Sequence, residues 1–226
     1  MKHSMNSSYK PINLLVIDLE TIGTKPGCIV TEVGAALFSA NPFIAGTLEL
    51  NEEIDYASSK RAGFKADKKT VDWWADKLSL PAATRKEYER YFANHWMAAR
   101  SVKASVNSIA DFYRVVRERI PANEKLYLVG NDIDFDKSIL EHYFAATCTH
   151  IPWHYRDWLS LPTVVWMVEL LTGIDIKKVI RSKWVTSHMA LDDARQEVAM
   201  LEMAFDLLRQ LSYTPPDSIV PEGYTK

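Results

Sequence analysis

The hydrophobic and polar positions of the chain begin with a pattern of strands. Asn13–Glu20 contains a continuous apolar run, which is typical of a central strand covered on both faces. Ile29–Phe38 and Thr47–Ile54 are rich in apolar and β-branched residues. A break at Asn41 and Pro42 separates these two segments and favours an antiparallel pair with a short connection. The sequence therefore predicts three strands in succession.

Helical periodicity takes over between residues 70 and 120. Its clearest apolar stripe has a spacing of three or four residues throughout: Val106, Ile109, Tyr113, Val116 and Ile120. The same spacing recurs near the end of the chain: Ala194, Val198, Leu201, Phe205 and Leu208. Each stripe predicts an amphipathic helix with one apolar face.

Shorter segments complete the predicted elements. Lys125–Val129 is another candidate buried strand, and Gly130 follows it as a breaker. Ile151–Trp153 is a short candidate strand, whereas Asp136–Ala146 and Leu161–Leu171 are predicted helices. The sequence therefore predicts both strands and helices along the whole chain.

The length of 226 residues and the mass of 25.8 kDa correspond to one domain. With 47% hydrophobic and 25% charged residues, the chain has the composition of a globular protein with a large core. We predict a single domain over residues 11–211 with a helical insertion around 70–120. Residues 1–10 are expected to be a flexible polar leader, and the proline-containing residues 212–226 a loosely attached arm.

Composition also excludes several classes of protein. The chain has no apolar run near the roughly 18 residues of a membrane span, so we expect no membrane partner and a cytoplasmic location. Cys28 and Cys148 stand alone, which excludes a disulfide framework or a zinc site. The net charge of −2 excludes a general positive field that coats nucleic acid, although residues 60–125 carry 15 basic against 8 acidic residues.

Candidate chemistry starts at the end of the first predicted strand. Asp18 and Glu20 are two residues apart, so on a strand both carboxylates point to the same face. Two neighbouring buried negative charges are costly unless a cation neutralises them. A strand that simply ends in solvated acids is the alternative interpretation.

Two further acidic groups lie next to predicted helix starts. Asp136 follows the turn after a strand, where an acid can bind a cation or cap the helix. His188 and Asp193 are five residues apart, which is about 140° around a helix, so they cannot share a helical face. If both reach one site, His188 lies in the preceding loop or first turn. Otherwise it is a solvated loop histidine.

Together these three places resemble the motifs of the DEDDh, or DnaQ-like, 3′–5′ exonucleases. The motifs are D-x-E-T from Asp18, N-x-x-x-F-D ending at Asp136, and H-x4-D from His188. The chain is most similar to the phage and bacterial branch described as Rv2179c-like exoribonucleases. The segments that carry this closer resemblance are Asp18–Gly27, Thr70–Trp74, Gly130–Asp136, Arg156-Asp157 and His188–Ala194.

The resemblance implies a ribonuclease H-like α/β fold, in which a mixed sheet with its first three strands antiparallel is flanked by helices. It also implies two Mg²⁺ or Mn²⁺ ions, which prefer hard oxygen ligands. The implied ligands are Asp18, Glu20, Asp136 and Asp193, and His188 is the implied base. The implied activity is stepwise hydrolysis of RNA or single-stranded DNA from the 3′ end to nucleoside 5′-monophosphates. A homodimer is left open.

Substrate contacts are expected next to the motifs. By the same resemblance Thr21, Phe135 and Asn131 are candidates for contacts to the terminal nucleotides. Phe135 could equally be a core residue. Trp73 and Trp74 are expected to be core anchors rather than stacking platforms for bases. A basic segment just before His188 could meet phosphates or form a solvated helix: Lys177, Lys178, Arg181 and Lys183.

Departures from the family pattern leave alternatives open. Asn131 and Asp136 are five positions apart, so Asp134 is a rival ligand, and Asp192 rivals Asp193. Met189 stands where a sister group has tyrosine, which favours the histidine type. A phosphohydrolase of small nucleotides and a catalytically idle nucleic-acid-binding module are the alternative functions.

Overall fold

A five-stranded sheet forms the centre of the computed structural model, which describes residues 12–39, 48–76, 80–86 and 99–211. The strands are β1 (Asn13–Thr21), β2 (Val30–Ser39), β3 (Glu49–Glu53), β4 (Leu126–Gly130) and β5 (Trp158–Ser160). The helices are α1 (Tyr56–Arg61), α2 (Lys68–Ala75), α3 (Val102–Arg119), α4 (Ile133–Ala146), α5 (Leu161–Thr172), α6 (Ile176–Arg181) and α7 (Ala190–Leu211).

The sheet is mixed, as the sequence predicts. Its strand order is β3-β2-β1-β4-β5, with antiparallel pairing from β1 to β2 and from β2 to β3. The pairs β1–β4 and β4–β5 are parallel. The central position of β1 explains its almost entirely buried sequence, because helices cover both faces of such a strand.

Alternating residues of β1 face two separate parts of the core. Leu15 and Ile17 pack on one side with buried residues of α3 and α4. Leu14 and Val16 pack on the other side with buried residues of α5 and α7. The sheet is therefore sandwiched between two helical layers, which hold β1 rigidly and fix the direction in which its last residues point.

Two predicted elements are corrected by the structure. The candidate strand Ile151–Trp153 is wrong: β4 pairs instead with Trp158–Ser160, and Pro152 has no backbone N–H for a ladder. Helix α4 begins at Ile133 rather than Asp136, because the carboxylate of Asp132 caps it. The other strands, α5 and α7 lie where the hydrophobic pattern places them.

The predicted insertion around 70–120 contributes α2, residues 80–86 and α3 to the described structure. The predicted leader 1–10 and arm 212–226 lie outside the described residues. Among the helices of the described ranges, none is both long and apolar enough to cross a membrane.

Candidate active site

Asp18 and Glu20 lie at the carboxyl end of β1, where alternation places both side chains on one face of the sheet. Burial, followed by the charge of Glu20, raises the pKa of Asp18 well above its usual value. The pKa of Glu20 is likewise raised, first by burial and then by the charge of Asp193. This mutual repulsion shows that the acids of two sequence motifs meet at one place.

The start of α7 is brought to these acids by a close approach to β2. Gly34 pairs with Asp18 in the sheet, and a Cβ at Gly34 would lie 2.1 Å from the carbonyl of Ala190. The Ala190 N–H donates to Glu32 Oε2 at 3.3 Å, which ties the helix start to the same strand. Any residue larger than glycine at position 34 would push α7 away from the site.

His188 lies just before α7, and Asp193 lies in its first turn. The backbone N–H of His188 donates to Asp193 Oδ2 at 2.6 Å, with His188 at φ 62°. Burial raises the pKa of Asp193 to about 6. Burial and the nearby charge of Arg181 lower the pKa of His188, so its imidazole is neutral at pH 7.

Asp136 occupies the first turn of α4 and is only 3% exposed. Its Oδ2 accepts a hydrogen bond from the Asp132 N–H at 3.2 Å, and burial raises its pKa to about 7. Gly130 makes room for this carboxylate, because a Cβ there would lie 3.0 Å from Asp136 Oδ2. The rival Asp134 is exposed at the surface. Helix periodicity thus turns Asp136 inward and Asp134 outward.

The rival Asp192 is also turned away from the cluster. Its Oδ2 accepts from Thr186 Oγ1 at 2.8 Å, and its Oδ1 accepts from Arg195 at 3.0 Å. Asp193 instead faces Glu20 and His188, and ligand atoms of these three residues lie within 4.8 Å of one another. The geometry therefore favours Asp193 over Asp192 as the acid that meets β1.

A cavity of about 530 Å³ opens beside this cluster, and the buried Asp136 is not among the residues that line it. Asp18, Glu20, His188 and Asp193 line it, together with Lys177 and Arg181 from α6. The donor set consists of hard carboxylate oxygens whose charges repel one another, and buried acids of this kind are stabilised by divalent cations. The residues present therefore fit Mg²⁺ or Mn²⁺.

Sequence reasoning missed Glu197, which lines the same cavity and is 5% exposed. It lies one helical turn after Asp193, so both carboxylates project from the same face of α7. Burial, followed by the charges of Asp136 and Asp193, raises its pKa well above the usual value. The four-residue spacing from Asp193 was the available signal.

The tryptophan pair of α2 lies beside the candidate base rather than in the core, so the expectation of core anchors is wrong. The rings of Trp73 and His188 meet edge to face, with centroids 4.9 Å apart. Trp74 lies 6.1 Å from the same imidazole, and its Nε1 donates to the Thr21 carbonyl at 2.9 Å. Helix α2 has no buried residue, and Trp73 is 41% exposed. The insertion therefore forms a wall of the site.

Replacing Trp73 with alanine is expected to lower kcat by up to about tenfold, because an aromatic pair contributes about 0.5–1.5 kcal/mol to holding the imidazole. Trp73→Phe should restore most of the rate. Steady-state kinetics on an oligonucleotide would measure the effect, with Tyr155→Ala, a change of an exposed aromatic side chain outside the cavity, as control. A rise in KM at unchanged kcat would instead indicate that Trp73 stacks on the substrate.

The predicted substrate contacts lie around the cavity with different degrees of access. Thr21 Oγ1 donates to the Gly23 carbonyl at 2.6 Å, so its hydroxyl already has a local partner. Phe135 is partly buried and packs against the core. Asn131 is half-buried and lines the cavity. Of the three, Asn131 is the side chain that borders the open space.

Solved nuclease structures share this fold. They include cell-death related nuclease 4 (TM-score 0.54, 13% identity, covering 86% of this chain and 64% of that one). The nuclease domain of 3′hExo, a DEDDh family member bound to rAMP, has a TM-score of 0.52 and 12% sequence identity, covering 92% of this chain and 94% of that one. E. coli exonuclease I with a dT13 oligonucleotide has a TM-score of 0.51 and 13% sequence identity, covering 89% of this chain and 44% of that one.

The chain thus has the ribonuclease H-like fold of the DEDDh 3′–5′ exonucleases, as the sequence predicts. It spans 64% of the length of cell-death related nuclease 4, so that protein's own partners and substrates do not transfer. Residues 13–205 match the model of the 3′–5′ exoribonuclease Rv2179c-like domain, and the chain belongs to this family of nucleases. No curated protein sequence matches the chain.

Proposed function

We propose that this exonuclease removes nucleotides from the 3′-hydroxyl end of RNA or single-stranded DNA by a two-metal mechanism and releases nucleoside 5′-monophosphates. The convergence of Glu20, His188 and Asp193 within 4.8 Å, beside Asp18 in one cavity, supports this proposal most strongly. Family membership supports RNA as the first substrate to test.

Asp18, Glu20, Asp136 and Asp193 are the residues proposed to hold two Mg²⁺ or Mn²⁺ ions. When bound, such ions stabilise the charge that develops on the attacking and leaving oxygens of a phosphodiester. The protein holds these acids in fixed positions, because β1 pairs with β2 and the start of α7 donates a buried hydrogen bond to the Glu32 carboxylate. Neutralising these acids also relieves their repulsion.

His188 is proposed to accept the proton of the attacking water on a ring nitrogen. Its lowered pKa leaves that nitrogen unprotonated at neutral pH, which a general base requires. The hydrogen bond from its backbone to Asp193 fixes the loop, and the edge of Trp73 restricts the ring. The imidazole is thereby positioned next to Glu20 and Asp193.

Lys177 and Arg181 are proposed to contact substrate phosphates at the cavity. Both lie on α6 and line the same space as the acids. Their charges attract a polyanion towards a site whose acids would otherwise repel it, and phosphate contacts of this kind position a chain without reading its bases. This favours a substrate chosen by its end rather than its sequence.

The experiment that tests the proposal follows 5′-labelled single-stranded RNA and DNA of equal sequence in Mg²⁺, Mn²⁺ or chelator. A ladder that shortens from the 3′ end only with metal is expected. Release of phosphate from mononucleotides without a ladder would indicate a phosphohydrolase of small nucleotides. Binding without any turnover would indicate an idle binding module.

The cytoplasmic location and the homodimer, which come from the sequence alone, stay proposals. Large apolar side chains are exposed on α5: Trp166, Met167, Leu170 and Leu171. Exposed apolar patches of this kind often mark protein contacts, and a second copy of the chain is the occupant proposed here. Light scattering on the purified chain measures the mass directly.

A further inference from the structure

Glu197 differs from every other acid of the cavity in having no role in the proposed mechanism. Its position on α7 is fixed by the helix, one turn beyond Asp193 and facing the sheet. It lines the cavity beside Asp18 and is 5% exposed. A carboxylate that is this deeply buried carries a large desolvation cost, which needs a compensating partner.

The protein supplies no such partner for Glu197 Oε2. This oxygen is buried and accepts no hydrogen bond from any described residue. The charges of Lys177 and Arg181 act on Glu197, yet no ion pair within 4.0 Å joins them, although all three residues lie in the described part of the chain. A buried carboxylate oxygen at the cavity wall is therefore left open to a ligand, and a bound cation would favour its ionised form.

Glu197 lies in the same acid cluster as Asp18. Both residues line the cavity, and the charge of Glu197 acts on Asp18. Glu20 instead lies with Asp193, because ligand atoms of Glu20, His188 and Asp193 approach within 4.8 Å of one another. Glu197 is therefore the cavity acid left to accompany Asp18.

We propose that Glu197 is a fifth carboxylate ligand of the metal site and, with Asp18, binds one of two divalent cations. This rests on the proposed two-metal function. Glu20 and Asp193 then hold the other cation. With fewer protein carboxylates, a cation at Asp18 would keep most of its bound water and bind more weakly. The carboxylate of Glu197 adds a charged protein oxygen, so we expect both cations to bind before any nucleic acid arrives.

The test is a calorimetric titration of the nucleic-acid-free protein with Mn²⁺. The wild type is expected to bind two ions. Glu197→Gln keeps the shape of the side chain and removes its charge. It should weaken one of the two sites by about 10- to 100-fold or more, because loss of a partner that only orients a ligand already costs about that much. The other site should keep its affinity.

Two glutamate variants serve as controls. Glu52→Gln removes a buried acid in β3 whose Oε1 accepts no hydrogen bond and lies 3.8 Å from Arg100 Nε. Glu202→Gln removes an exposed acid from α7 itself. Both should bind two ions as the wild type does. Equal binding by Glu197→Gln and wild type, or equal weakening of both sites, would overturn the role of Glu197 as a ligand but leave the proposed function standing. A wild type that binds no Mn²⁺ would overturn the proposed function as well.

Thermal unfolding without metal gives a second readout that a structural role would not reproduce. Glu197→Gln should raise Tm in chelator, because it removes one of several repelling buried charges, and it should gain less Tm from Mn²⁺ than the wild type. If Glu197 serves instead to hold Lys177 and Arg181, the variant should lower Tm in chelator and leave the Mn²⁺ gain unchanged. That result would contradict the proposal.

Discussion

Asp18→Asn should reduce kcat by about 10³-fold or more, because several kcal/mol of transition-state stabilisation depend on the metal ions that this residue is proposed to hold. The negative charges of four neighbouring acids act on Asp18, so it lies in the middle of the acid cluster. These acids are Glu20, Glu197, Asp136 and Asp193. Single-turnover kinetics at saturating Mg²⁺ and a Mn²⁺ titration should show loss of both turnover and metal affinity.

The control for Asp18→Asn is Asp134→Asn, which changes an exposed acid two residues from Asp136. It should stay within about twofold of wild type, since surface substitutions away from a site have small effects. Asp18→Asn should also raise Tm in chelator, and a gain of about 1 kcal/mol corresponds to about 2–4 °C for a chain of this size. Activity that survives Asp18→Asn would exclude the cluster as the catalytic centre.

His188→Ala should lower kcat by about 10²–10⁴-fold, the range for loss of a positioned general base, and leave Mn²⁺ affinity largely unchanged. Because His188 has φ 62°, alanine adds backbone strain there. His188→Asn tolerates this conformation better and should lose the same activity. The exposed His154→Ala is the matched control. Near wild-type turnover in both variants would show that His188 is only a loop residue and not the general base.

The pH dependence of kcat follows from the same histidine. Protonation of His188 abolishes its function as a base, so activity falls as the pH drops through its pKa. Burial and Arg181 lower that pKa below the usual histidine value of about 6.5. At saturating Mg²⁺, which keeps the acids of the cluster ionised, wild-type kcat should therefore hold to pH values below about 6.5 before it falls. This fall of kcat at low pH should be absent from the residual activity of His188→Asn.

Much of the sheet is predictable because its strands carry their own burial signal. The apolar runs before Asp18 and Gly130 coincide with β1 and β4, and both are central strands with helices on either face. The candidate strand at Ile151–Trp153 fails because pairing with β4, rather than local composition, decides which residues form the edge. A three-residue edge strand has too little sequence to carry that information.

The acid cluster is predictable from alternation and helix geometry, whereas its walls are not. Asp18 and Glu20 share a face by the strand repeat, and His188 precedes α7 as the 140° offset requires. Trp73 gives no such signal, because an exposed ring beside His188 depends on how α2 docks against Thr21. Glu197 was overlooked because buried acids are uncommon in the middle of a helix.

The central claim is that this acid cluster supports metal-dependent hydrolysis of a phosphodiester at a free 3′ end. One measurement tests it directly: incubation of a linear single-stranded RNA and its ligated circle with the protein in Mg²⁺, with products identified by mass spectrometry. The linear strand should be converted to nucleoside 5′-monophosphates while the circle survives, and chelator should stop degradation of the linear strand. Nicking of the circle, or equal degradation of the linear strand in chelator, would contradict the claim.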